Sequence, residues 1–71
     1  MMNSKIAAIA KTNVDVTVLS GLKKGGIYLT VEIEGNNTNA VENIKNFFGK
    51  MFDCSEYDSE LNYTYVGINL E

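Results

Sequence analysis

The clearest regularity along the chain lies between residues 27 and 34. Ile27, Leu29, Val31 and Ile33 alternate there with Tyr28, Thr30, Glu32 and Glu34. A period of two is the mark of a strand with one side in an apolar core and the other in water. A second alternating stretch precedes it. Ile6, Ala8, Ala10, Val14, Val16 and Val18 share one parity, against Lys5, Lys11, Asn13, Asp15 and Thr17 on the other. Residues 14–19 are rich in β-branched side chains and predict a strand. Residues 5–11 either extend that strand or, on their alanine content, form a short helix. Between the two strands runs Ser20-Gly21-Leu22-Lys23-Lys24-Gly25-Gly26, a glycine-bearing connection that predicts an antiparallel hairpin.

Gly35-Asn36-Asn37-Thr38-Asn39 then halts the strand pattern. Asn39, with Glu42 three positions on, fits a helix N-cap followed by a first-turn carboxylate. Ala40, Val41, Ile44, Phe47, Phe48 and Met51 recur at helical spacing, and Gly49 either lets that helix approach the sheet closely or ends it early. Residues 53–60 are acidic and polar and predict a loop. From Leu61 to Leu70 strand character returns, with Tyr63 and Tyr65 on one parity and Val66, Ile68 and Leu70 on the other. A strand that is bulky on both sides is expected to be covered on both, at least in part.

The order of elements is therefore expected to be β-β-α-β: a small α+β fold with a three-stranded, mainly antiparallel sheet and one helix packed on one face. The favoured strand order is 2-1-3, which makes every neighbouring pair antiparallel. Residues 1–71 are read as a single small α+β domain. Val16, Val31, Ile33, Ile44 and Phe48 are its expected core.

Composition narrows the chemistry. The 71 residues contain no histidine, no proline and one cysteine, Cys54. No internal disulfide can form, and the commonest transition-metal ligand is missing. Cys54 has no imidazole to activate it and follows Asp53, whose carboxylate disfavours a thiolate. A packing or incidental cysteine is the better reading. The short apolar run Ile6–Ala10 is too brief for a signal-peptide core or a membrane span, so a cytoplasmic protein without membrane association is expected.

Charge is unevenly placed. All six basic residues are lysines, and the net charge is −3. Residues 1–50 hold every lysine and four carboxylates, whereas residues 51–71 hold five carboxylates and no lysine. An acidic chain without arginine is poorly suited to phosphate backbones and guanine edges, which argues against direct nucleic-acid binding. Asp53, Glu56, Asp58 and Glu60 do not fall in a calcium-loop register. Gly21–Gly26 lacks the ending of a phosphate loop. No cofactor, metal site or catalytic residue is expected, and the chain is read as no enzyme.

What remains is recognition. Tyrosine suits interfaces because it offers a large apolar ring with a polar tip. Asp53, Glu56, Tyr57, Asp58, Glu60, Tyr63 and Tyr65 are the expected partner-binding residues, and another protein, one that itself binds nucleic acid, is the expected partner. In size and charge alone, the chain is similar to phage-encoded anti-defence inhibitors such as anti-CRISPR proteins and DNA mimics. That resemblance implies occupation of a basic groove by the acidic segment. A homo-oligomer is expected in solution, and the alternative function is a structural homo-oligomer assembled through the C-terminal strand.

Overall fold

The structure is a computed structural model that describes residues 2–23 and 25–70. Lys24 of the glycine-rich connection and Glu71 of the acidic segment lie outside the described residues. Six main elements follow one another: α1 (Met2–Ala10), β1 (Val16–Lys23), β2 (Gly26–Glu34), α2 (Thr38–Phe48), β3 (Phe52–Asp58) and β4 (Tyr63–Leu70), with a short 3-10 turn at Gly49–Met51. The four strands form one antiparallel sheet in the order β1-β2-β4-β3. The α+β class holds, but three strands become four and one helix becomes two.

The extra helix covers the stretch where strand and helix patterns coincide. Ile6 and Ala10 are an i, i+4 pair, and both are buried; Ala7 and Ile9 are half-buried against the same core. The helix ends because Lys11 turns left-handed, with φ 58°. Lys11 N then donates to Ala8 O at 3.2 Å and Thr12 N to Ala7 O at 3.3 Å, the paired closure of a Schellman end. Asn43 of α2 donates its side-chain amide to Ala10 O at 2.9 Å, so the two helices are tied at this point.

The second correction is β3. Of residues 53–60, expected as a loop, Cys54 to Asp58 pair with β4, and the turn is confined to residues 59–62. With a fourth strand present, β4 can lie antiparallel beside β2, as in Ile33↔Thr64, Val31↔Val66 and Leu29↔Ile68. The expected order 2-1-3 fails for that reason. The chain leaves β2, crosses through α2 to β3 and returns through β4, which fills the gap: a strand-helix-strand crossover split by an inserted strand.

Helix α2 begins two residues earlier than expected. Asn37, not Asn39, is its N-cap; the Asn37 side chain accepts from Ala40 N at 3.0 Å. It ends at Gly49, whose φ of 59° suits glycine. Val16, Leu29, Val31, Ile33, Val66 and Ile68 of the sheet meet Ile6, Ala10, Ala40 and Ile44 of the helices in one core. Of the five expected core residues, four are buried and Phe48 is half-buried. Among the described residues no helix is long and apolar enough to cross a membrane.

Candidate functional site: the open face of the sheet

Both helices pack on one side of the sheet. Strand registers assign the other side. Residues paired across antiparallel strands project the same way, so two rows follow from the pairing. One is Thr17–Glu32–Tyr65–Glu56; the next is Glu34–Tyr63–Asp58. Each tyrosine of β4 thus stands between a carboxylate on β2 and one on β3. Carboxylates flanking one tyrosine are roughly 10 Å apart at the backbone, twice the strand spacing, and successive ones on a strand are about 7 Å apart. Four carboxylates so placed lie within about one Debye length of one another at 0.1 M salt and act as a common field.

Tyr63 and Tyr65 are half-buried, Glu32 and Asp58 likewise, while Glu34 and Glu56 are exposed. The Tyr65 hydroxyl is shifted toward higher pKa, first by desolvation and then by Glu32, Asp58 and Tyr63 around it. Desolvation and neighbouring negative charge both favour the neutral phenol.

The far end of this face is built differently. Tyr28 lies over Gly67, and a Cβ at Gly67 would run into the Tyr28 hydroxyl and stand 3.2 Å from Cys54 Sγ. Gly67 is thus the residue that lets the ring lie flat against the sheet. The Tyr28 hydroxyl donates to Asp53 Oδ2 at 2.5 Å and stands 3.9 Å from Cys54 Sγ. Lys23 Nζ sits 4.3 Å from the ring centroid. The Asp53 hydrogen bond is the main cause that raises the Tyr28 pKa, followed by desolvation and the Cys54 contact. Asp53 is accordingly an engaged carboxylate.

The seven residues expected to bind a partner are therefore not one patch. Glu56, Asp58, Tyr63 and Tyr65 come together on the open face. Asp53 sits at the irregularity between Phe52 and Cys54 and belongs to the Tyr28 cluster. Tyr57 pairs with Thr64 and so projects to the helix side, where its hydroxyl donates to Asn62 Oδ1 at 2.7 Å. Glu60 lies in the turn, whose backbone amides at Glu60 and Leu61 donate to Asp58 Oδ1 at 2.9 and 3.2 Å. The residues that the acidic-segment reading missed are Glu32 and Glu34. Their signal was the alternation of β2, which placed them on the polar side; only the register could show that this side continues into Tyr63 and Tyr65.

A homo-oligomer made by pairing the C-terminal strand with its copy has no edge to use, since β2 and β3 occupy both edges of β4. Among the described residues no group of three or more Cys, Asp or Glu side chains is placed to hold a metal ion. No family model matches the chain, and no curated protein and no solved structure matches it.

Proposed function

We propose that this protein is a binding module that inhibits a nucleic-acid-binding protein or enzyme by laying the open face of its sheet on that partner's basic surface. The observation that carries the reading is the pair of rows Glu32–Tyr65–Glu56 and Glu34–Tyr63–Asp58. Carboxylates at regular spacing stand in for phosphates, and the tyrosines between them supply apolar contact area at low entropic cost. A field of one sign steers an oppositely charged partner and rejects wrong ones. The same field opposes self-association through this face, because a second copy would bring carboxylate against carboxylate.

The experiment is capture of partners from the source cell's lysate on the immobilised protein, followed by elution with duplex DNA. The expected outcome is a partner with a nucleic-acid site that DNA displaces and whose nucleic-acid binding the protein inhibits. The variant carrying Glu32→Gln, Glu34→Gln, Glu56→Gln and Asp58→Asn should not hold that partner. Asn at 58 keeps an acceptor for the turn amides, so the fold should survive. Retention of the same partner by this variant would contradict the reading.

A further inference from the structure

β3 is an edge strand, and among the described residues nothing is paired to its outer side. The phase of the ladder says which of its backbone groups point outward. Glu34 N donates to Asp15 O at 3.0 Å, and Gly35 N to Asn62 O at 2.8 Å. In an antiparallel pair, hydrogen-bonded and non-hydrogen-bonded pairs alternate. Carried through the registers, Cys54, Glu56 and Asp58 turn their amides and carbonyls toward β4. Ser55 and Tyr57 turn theirs to the free edge.

The same two residues send their side chains to the helix side, into an open groove of about 380 Å³ between β3 and α2. Val41, Glu42 and Lys45 of α2 form one wall; Phe52, Ser55 and Tyr57 form the other. The edge therefore offers two different faces to an added strand. Toward the groove it offers Phe52 and Tyr57 opposite Val41, among the polar side chains of Thr38, Glu42, Lys45 and Thr64. Toward the open face it carries Glu56 and Asp58.

The geometry points to β3 as a docking edge for an extended, basic segment of a partner protein, added antiparallel as a fifth strand with apolar and cationic residues alternating. Apolar side chains enter the groove beside Phe52, Val41 and Tyr57. Lysine or arginine side chains on the opposite parity reach Glu56 and Asp58. Backbone bonds to Ser55 and Tyr57 supply affinity without regard to sequence, and the alternation supplies the selection. Charge complementarity chooses this occupant: a second copy of β3 would place its own Glu56 and Asp58 against these two carboxylates. The inference rests on the acidic-face reading above and names the partner's chemistry.

The probe is a fluorescein-labelled octapeptide of four Lys-Val repeats, titrated with the protein at low salt. In the added strand the valines are the residues whose backbone faces β3. N-methylation of every valine should weaken binding by at least about ten-fold, whereas N-methylation of every lysine should leave it unchanged. A peptide of four Glu-Val repeats should not bind. On the protein, Ser55→Pro removes an outward amide without touching the bonds to β4, the one setting in which a strand tolerates proline, and should weaken binding to a similar degree. The N-methylated peptides keep the test valid if that variant fails to fold. Equal binding of both N-methylated peptides would overturn the edge while leaving the acidic face as the site of attraction. No binding of the Lys-Val peptide to the folded parent protein would also overturn it. Loss of binding in the four-carboxylate variant alone, with N-methylation without effect, would leave only the face reading standing.

Discussion

The two edges of the sheet are treated in opposite ways. On β1 the outward amide of Val18 is taken by the Asn3 side chain of α1, which accepts from it at 2.9 Å. The strand around it carries no charge from Val16 to Leu22 and ends on Lys23. On β3 the outward groups of Ser55 and Tyr57 have no such cap among the described residues, but the strand bears Asp53, Glu56 and Asp58 and an irregularity between Phe52 and Cys54. An uncharged edge invites indiscriminate pairing, and here a local hydrogen bond blocks it at Val18; a charged edge repels its own kind and can stay open. In so small a sheet an open edge fits recognition where charge already restricts the partner.

One core lies beneath both edges, and the largest effect comes from removing part of it. Ile44 is fully buried beneath α2, against both the sheet and α1. Ile44→Ala should cost about 2–5 kcal/mol, a large share of what a domain of this size has. Denaturant unfolding checks it. A cost under about 1 kcal/mol would show that the two edges do not depend on this helix.

A smaller effect sharpens the contrast itself. In the parent protein the Val18 amide should exchange with deuterium slowly, while Ser55 and Tyr57 exchange fast. Asn3→Ala should free Val18 to exchange as they do, with a stability loss of about 1 kcal/mol, the net worth of one hydrogen bond. Unchanged protection at Val18 would mean that the edge is closed by something other than Asn3.

Legibility in the sequence followed burial. β2 is central and alternates strictly, so it was readable to its ends. α2 was readable because Ala40, Val41, Ile44 and Phe48 follow a single stripe, although its cap was misplaced among three asparagines in four positions, each competent to cap. α1 was hidden because Ile6 and Ala10 satisfy both a period of two and an i, i+4 spacing. β3 was hidden for a different reason. Every residue from Asp53 to Tyr57 is exposed, so neither side of the strand carries a hydrophobic signal. The site suffered from that omission. Glu56 and Asp58 were found from the charge run, and Tyr63 and Tyr65 from the bulk of the last strand. Glu32 and Glu34 join them only through the pairing of β2 with β4, which no local pattern records.

The smallest expected effect concerns the Tyr28 end of the open face. The phenol is stabilised in its neutral form by its bond to Asp53, so its folded-state pKa is raised above the ordinary value. The contribution to stability is present in full below the unfolded value of about 10 and is lost as pH climbs through the folded one. Tyr28→Phe should therefore remove the last step of the tyrosinate absorbance titration and flatten the fall in stability above about pH 10. Persistence of that last step in the variant would place the perturbed phenol elsewhere.

The most direct measurement is chemical-shift mapping of the isotope-labelled protein with its captured partner, read at low and at high salt. The amides of Glu32, Glu34, Glu56, Asp58, Tyr63 and Tyr65 should shift together, and the shifts should shrink as salt shortens the Debye length from about 10 Å at 0.1 M to about 3 Å at 1 M. Shifts confined to the outward sides of α1 and α2, or a complex indifferent to salt, would contradict the account.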